Sequence, residues 1–369
     1  MKLSDTQRHI VEATDQNILC LSTSGCGKTT ILTKRIERLI NAGIDPKLIV
    51  AFTFTNEAAN EMKVRLEGKA DGAYIGTIHG YAAFICGRGG VDVGKLIVQE
   101  KFDDIITEAY KVNLAYYPYV EHLLLDEVQD LDENQFKFVT NIPANNRFYV
   151  GDFRQQIYGF NLTNPNFLLD FLTQSAFFTT YSLNECYRCP QNIINYAEEY
   201  IRSYLIEKQL PSGKAVYVKK PAFISDKFSF SSVLEYITSE VDPNDYKDWA
   251  ILCRSNAEVD YVCEKLKDKY IPYCKIKRDR FHYEQAAENL DANKIKVMTC
   301  HSSKGLTFPR VVVMGINAYN EEEGKVAYVA ITRAQKEVYI CDVPVGFKKW
   351  SQNKKKAEQT KKDEGMVFF

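Results

Sequence analysis

Apolar residues in this chain gather in runs of strand length, and small or polar residues stand where each run stops. ILCLS leads into TSGCGKTT, LIVAFTF (48–54) into TNEAANEM, and HLLLDEVQD (122–130) and RFYVGD (147–152) likewise end on carboxylates. Runs without alternation read as strands of a parallel sheet covered on both faces. AYIGTIHG (73–80) has the same strand-then-turn rhythm. Between the runs the period changes to that of a helix. Ile31, Leu32, Ile36, Leu39 and Ile40 mark one face of a helix that stops at Gly43. Residues 55–66 have helical composition with Thr55 or Asn56 as cap, and 3–14 form a short helix capped by Ser4 or Asp5. Strand and helix in alternation predict a doubly wound α/β domain, with polar residues at the strands' C-terminal ends.

A second series begins near Phe177. FFTTYSL, DWAILCR, KIKVMTC, RVVVMG and EVYICDV read as strands, with helical stretches such as PQNIINYAEEYIRSYLI between several of them. The expected division is a first α/β domain over 1–175, a second over 176–347, and a tail over 348–369. That tail is Lys-rich, lacks apolar periodicity and ends in MVFF, so it reads as a flexible basic extension.

Composition narrows the class. With 369 residues, 45% hydrophobic and 26% charged, the chain can build two cores and is ordinary for a globular protein. No apolar run approaches the ~20 residues that span a bilayer, and MKLSDTQRHI lacks a signal-peptide core. A cytoplasmic protein with no membrane partner is expected, bacterial or in the host cytoplasm if phage- or virus-encoded. The ten cysteines are scattered, several in apolar segments, which suits a reducing compartment. Cys186 and Cys189 have zinc-like spacing but no second pair accompanies them. A net charge of −1 gives no global attraction for nucleic acid, so a polyanion would need a local groove.

The chemistry concentrates at the strand ends. Ser24, Gly25, Cys26 and Gly27 are small residues whose backbone N–H groups can converge on a phosphate chain where a helix starts. Lys28 would reach the β/γ-phosphates, Thr29 would ligate Mg²⁺, and Thr30 completes the turn. The regular P-loop pattern wants Gly where this chain has Ser22, so a ligand-free strand-to-helix turn is the alternative at this point. Asp126 and Glu127 end a buried strand, the place of a Walker-B pair. One carboxylate would hold Mg²⁺ and the other deprotonate the attacking water. With a P-loop upstream, the pair specifies a nucleoside triphosphatase. Gln155 lies just past another strand end, where an amide could sense the γ-phosphate or simply face solvent.

Arg188 in LNECYRCP and Arg333 in AYVAITRAQ, on a helical stretch, could add positive charge to a phosphoryl-transfer site. Phe54, Tyr158 and Phe160 could stack on bases without sequence preference, or pack beneath loops. His79 and His301 stand in GTIHG and TCHSSKG.

The order of these blocks resembles the UvrD/Rep/PcrA branch of superfamily 1 DNA helicases. LSDTQRHIV, STSGCGKTT, AFTFTNEAANEM, IGTIHGYA, LLLDEVQD, VGDFRQQIYGF, LNECYRCPQNI, VMTCHSSKGLTF and AYVAITRAQ follow one another in register. That family's P-loop does not insist on Gly at the position of Ser22. The resemblance implies two tandem RecA-like domains with parallel sheets and ATP with Mg²⁺ in the cleft between them. It gives Gln7 the adenine-reading role and Tyr187 the adenine-stacking one. Arg188 and Arg333 become arginine fingers, and Gly305 joins the nucleotide side. Phe54, Thr55, Asn56, Thr77, His79, Tyr158 and His301 fall at strand-contacting positions, and Phe160 where the family stacks a Trp.

Three departures are Asn161 for an Arg, Thr307 for a Glu, and Thr30 for a basic residue. The first domain's insertion is cut to about 87–120, and the large insertion of the second is absent. The implied function is an ATP-driven helicase or translocase on single-stranded DNA or an ss/ds junction, moving 3′→5′ and acting as a monomer. The tail could contact a replication or repair protein. The rivals are a translocase or protein-displacing ATPase that unwinds poorly, and a nucleotide-switched binding module.

Overall fold

The computed structural model describes residues 2–157, 167–217, 221–276, 290–316, 319–344 and 346–354, apart from the side chains at 226 and 227. The chain forms two compact units. One runs to Tyr187 and takes in Leu210–Gly213; the other comprises Arg188–Gln209 and the chain from Lys214 on.

In the first unit β1 (Asn17–Ser22), β2 (Ile49–Phe52), β3 (Tyr74–Gly76), β4 (Val120–Leu125), β5 (Ala144–Gly151) and β6 (Thr179–Leu183) form one sheet in the order β3-β2-β4-β5-β1-β6. Every pairing is parallel. β1 and β2 are buried along their whole length, as expected of continuous apolar runs with helices on both faces. Leu21 is paired with Gly151, Phe52 with Leu125, and Leu125 with Tyr149. The four central strands therefore end in line, and the polar residues after them share one edge of the sheet.

The helices follow their sequence signals. α1 (Asp5–Glu12) starts on a capping box in which Ser4 and Gln7 satisfy each other's backbone N–H. α2 (Lys28–Asn41) buries Ile31, Leu32, Ile36 and Leu39, and Gly43 beyond it has φ +92°. α3 (Asn56–Leu66) is capped by Thr55, α4 (Ile78–Arg88) by Thr77. α5 (Gly94–Val98) and α6 (Phe102–Lys111) make up much of the short insertion, with Ile105, Ile106 and Ala109 of α6 buried, and α7 (Glu133–Asn141) and α8 (Phe167–Gln174) follow.

β6 lies beyond the division expected at 175 and joins the first sheet. Its residues Thr179 and Thr180 are exposed and only Leu183 is buried, so it is an edge strand. It pairs with β1 in the first sheet. An edge strand carries little hydrophobic pattern, and nothing in FFTTYSL says which sheet it joins.

The two-residue strands β7 (Glu185–Cys186) and β8 (Lys214–Ala215) lie outside both large sheets. The second unit's sheet contains β9 (Phe223–Phe228), β10 (Trp249–Cys253), β11 (Tyr273–Lys275), β12 (Ile295–Thr299), β13 (Phe308–Met314) and β14 (Ala334–Cys341). Their order is β11-β12-β10-β13-β14-β9, again all parallel. Its core gathers Trp249, Ile251, Val262, Leu266, Val297 and Val312. The stretch PQNIINYAEEYIRSYLI forms two helices, α9 (Gln191–Glu199) and α10 (Arg202–Glu207). α11 (Phe230–Glu240) and α12 (Asn256–Asp268) follow, and a further helix spans Glu321–Ile331.

The tail also differs from expectation at its start. Residues 347–354 are helical. Trp350 donates its indole N–H to Glu264 at 2.8 Å, and its ring packs against Tyr261 and Phe347. Among the described residues, no helix is long and apolar enough to cross a membrane. All ten cysteines are buried free thiols.

Candidate nucleotide site

β1 delivers the chain into the phosphate loop at Ser22. That hydroxyl donates to the Gly151 carbonyl at 2.8 Å, and the Ser22 carbonyl accepts from Arg154 Nη1 at 2.9 Å. Ser22 is thus the last rung of the strand, tied to its neighbour β5, and the turns that demand glycine come later. Gly25 has φ +71° and Gly27 φ +84°, conformations that cost other residues about 1–2 kcal/mol. A Cβ on Gly27 would also stand 3.0 Å from Gln7 Nε2. Gly27 gives α2 no side-chain cap, so the N–H groups of its first turn, beginning at Lys28, Thr29 and Thr30, have no side-chain oxygen set against them there. That is the arrangement of an anion site.

Gln7 and Tyr187 brace the loop. Gln7 is buried; its amide accepts from the Ser4 N–H at 3.1 Å and donates to the Cys26 carbonyl at 3.0 Å. Tyr187 donates its backbone N–H to the Gly25 carbonyl at 2.9 Å and its hydroxyl to Glu185 at 3.0 Å. Glu185 also accepts from Ser4 and Thr6. Ser24 and Cys26 are buried, and burial pushes the Cys26 thiol up to about 11, so it stays protonated.

The carboxylate pair stands after β4. Asp126 is 6% exposed and donates its backbone N–H to the Phe52 carbonyl at 2.9 Å. Glu127 has φ +52°, rare for a residue with a long side chain, and its N–H bonds Asp126 Oδ1 at 2.9 Å. Lys28 Nζ lies 3.4 Å from Glu127 Oε1. Burial alone would depress the Lys28 ammonium, but Glu127 and Asp152 outweigh it and hold the proton more tightly. Asp126 moves up instead, through burial first and then the charge of Glu127, with Lys28 opposing.

A buried carboxyl crowded by another is a place where a cation relieves cost, and this fits a hard divalent ion. No group of three or more His, Cys, Asp or Glu that could hold a metal occurs among the described residues. A single buried carboxylate would suit a hard cation that takes its other oxygen ligands from elsewhere.

Between these two motifs runs β5, and its terminus holds residues that sequence reasoning passed over. Asp152 is fully buried. It accepts from Arg154 Nη1 at 3.2 Å and from Gln155 Nε2 at 2.7 Å. Arg154, 1% exposed, also donates to the Pro211 carbonyl. Gln129, fully buried, donates to Glu127 at 2.6 Å and accepts from the Asp152 N–H at 3.0 Å. A Cβ on Gly151 would sit 2.6 Å from Gln129 Oε1. The signal available in sequence was only that VQD and GDFRQQ carry more polar groups than a surface turn requires.

In the second unit Arg188 Nη1 donates to the Thr332 carbonyl at 3.4 Å. Arg333 lies in the one-residue link between Thr332, which caps the helix Glu321–Ile331, and β14, not on a helix. It is buried, with Nε on the Val329 carbonyl at 2.9 Å and Nη1 on the Leu306 carbonyl at 3.3 Å. Gly305 has φ +84° in the turn after His301.

Of the strand-contacting candidates, Phe54 is 51% exposed and adjoins Thr55 and Asn56 at the start of α3. Thr77 caps α4 through the Gly80 N–H at 3.2 Å. His79 turns toward α6, its ring 5.8 Å from Phe102 and Nε2 3.7 Å from Asp103. Tyr158 and Phe160 lie outside the described residues.

The UvrD/REP helicase N-terminal domain matches residues 3–105 and 89–176, and the UvrD-like helicase C-terminal domain matches 181–289 and 282–343. The chain is similar to the ATP-dependent DNA helicase PcrA of Leuconostoc citreum, at 24% identity over 84% of this chain and 54% of the relative. PcrA of Staphylococcus epidermidis is 23% identical over 78% of this chain and 52% of its own length. The Gabija protein GajB of Bacillus cereus is 26% identical, over 76% of this chain and 70% of the relative. The chain thus spans about half the length of the PcrA relatives it matches. A phosphate loop and carboxylate pair on one parallel sheet, followed by a second parallel sheet, agree with those two matches in their order along the chain, and the protein belongs to the UvrD/REP helicase family.

Proposed function

We propose that the protein is an ATP-dependent motor on single-stranded DNA, moving 3′→5′ and using ATP hydrolysis to separate strands. The observation that supports it most is the meeting of Lys28 with Glu127 at the ends of β1 and β4. ATP would lie along the loop 24–30, with Lys28 on its β/γ-phosphates. Asp126 and Thr29 would hold Mg²⁺, which neutralises charge on those oxygens when bound. Glu127 takes the proton of the attacking water, and Gln155 senses the γ-phosphate. Gln7 and Tyr187 hold the adenine end. Arg188, Arg333 and Gly305 are also assigned to the nucleotide, the arginines through charge added as the transition state forms.

Phe54, Thr55, Asn56, Thr77, His79 and His301, with Tyr158 and Phe160, are assigned to the strand, by stacking and by phosphate contacts. The test is ATP hydrolysis by the full chain with and without single-stranded DNA. Stimulation is the expected result, and its absence overturns the motor reading.

One observation favours a narrower version, translocation or protein displacement with little unwinding. Between β3 and β4 stand only α4, α5, α6 and a short turn, and β11 and β12 are separated only by residues 276–294. Little surface is left for gripping duplex. A translocation assay run beside strand displacement separates the two. The tail beyond 354 is assigned a contact with a replication or repair protein, and the motor is assigned a monomeric state.

A further inference from the structure

We propose that Gln129 is a positioning residue that ties the water-activating carboxylate of Glu127 to the γ-phosphate sensor Gln155. The inference rests on the roles just proposed for those two residues, and the contacts that carry it all lie within the first unit. Gln129 is fully buried and uses both ends of its amide. Nε2 donates to Glu127 Oε2 at 2.6 Å, and Oε1 accepts the Asp152 N–H at 3.0 Å. The orientation of the amide is fixed by its partners. An ionised carboxylate only accepts and a backbone N–H only donates, so a flipped amide would face oxygen with oxygen and N–H with N–H.

Asp152 continues the chain of contacts. Its Oδ2 accepts from Gln155 Nε2 at 2.7 Å, and its Oδ1 from the buried Arg154, which is bonded to the Ser22 carbonyl of β1. Gln129 has no slack: a Cβ on Gly151 would come within 2.6 Å of its Oε1 and of Val128 Cγ1. Glu127 in turn is held at φ +52° and stands between Gln129 and Lys28.

A neutral amide is the side chain this position needs. It donates to the carboxylate without neutralising it and accepts from the neighbouring strand end in the same plane. A shift of Gln155 toward a γ-phosphate pulls on Asp152, and the Asp152 N–H passes that displacement to Gln129 and so to Glu127. Glu127 is then aimed only when the sensor is engaged, which links readiness for hydrolysis to the state of the nucleotide.

The test is steady-state ATP hydrolysis by the full chain in the presence of single-stranded DNA, with thermal melting of each variant alongside. Gln129→Met keeps the volume and removes both hydrogen bonds. It is expected to lower kcat by at least about tenfold with KM for ATP changed by less than about threefold, because its two bonds run to Glu127 and to the Asp152 N–H and not to the phosphate loop. Gln155→Ala and the double variant close a cycle. Residues acting through one chain of contacts give a double variant no more than about threefold slower than the slower single, well short of the product of the two losses.

Wild-type kcat in folded Gln129→Met, or losses that multiply, overturn the proposal. Gln129→Leu, similar in size and without either hydrogen bond, carries the same cycle should the Met variant melt at the assay temperature. Failure of the underlying site looks different: a wild-type chain with no ATP hydrolysis overturns the roles of Glu127 and Gln155 themselves.

Discussion

Lys28 Nζ and Glu127 Oε1 are 3.4 Å apart although their strands, β1 and β4, are not neighbours but flank β5. Adjacent strands are about 4.8 Å apart, so the two side chains close a gap of roughly 10 Å over the end of β5. With ATP bound as proposed, a phosphate chain at the α2 N-terminus would offer Lys28 a stronger partner and release Glu127. Lys28→Ala removes that partner, and turnover is expected to fall at least about a hundredfold. Steady-state phosphate release measures it, and a variant retaining a tenth of wild-type turnover would show that Lys28 has no such task.

Arg154 and Asp152 form an ion pair that is buried on both sides, at 3.2 Å. Arg154→Ala leaves the Asp152 carboxylate without its cation and frees the Ser22 carbonyl, which anchors the start of the phosphate loop. Breaking one side of a buried pair costs about 3–5 kcal/mol, and the loss is expected in the urea transition of the first unit. Arg154→Ala with an unchanged midpoint would mean that water or another group solvates Asp152.

What was legible in the sequence, and what was not, follows from where information is carried. β1, β2 and β10 were readable because strands buried on both faces are uniformly apolar, β4 because its last three residues are, and Ser4 and Thr55 announced their helices by capping. β6 was placed beyond the first domain because an edge strand is exposed, and its partner is decided by the path of the chain. The meeting of Lys28 with Glu127 could be anticipated because a phosphate loop and a carboxylate pair each end an apolar strand of one sheet. Gln129, Asp152 and Arg154 were not readable, because amides and ion pairs become a network only when three strand ends converge. The docking of Trp350 on α12 was hidden for the same reason.

His122 on β4 gives the fold a dependence on pH. Burial, and then the charges of Arg35 and Arg38, lower its imidazole from 6.5 to about 4. Between those values the unfolded chain binds a proton that the folded chain does not, so stability rises with pH across this window. The native state is unpenalised above about 6.5 and weakens as pH falls toward 4. The ceiling is about 3 kcal/mol, less at a partly exposed site. His122→Gln is expected to flatten the difference between melting at pH 7 and at pH 5. An unchanged slope would assign the dependence to other groups.

Phe54 is half exposed at the C-terminal edge of the first sheet, beside the start of α3. Phe54→Ala is expected to weaken single-stranded DNA binding by about 1–3 kcal/mol, the range for loss of one stacked base. Fluorescence anisotropy with a labelled oligonucleotide reads this directly. Equal loss on all base compositions agrees with stacking, and no loss removes Phe54 from the DNA path.

The two halves of the tail should separate in a truncation series. Residues 347–354 are anchored on α12: Trp350 bonds Glu264, Phe347 and Trp350 pack on Tyr261, and Lys354 bonds Asp260 at 2.6 Å, which Lys275 also reaches. Ending the chain after 354 keeps all of these contacts, so the melting temperature of the second unit is expected to stay unchanged. Ending it after 346 strips the rings from Tyr261 and leaves Asp260 with Lys275 alone. Two aromatic side chains lose their packing, and the second unit is expected to lose about 2–4 kcal/mol. Trp350→Ala alone should give part of that loss. Equal melting of both truncations would mean that the helix 347–354 adds no stability and that α12 buries its own face.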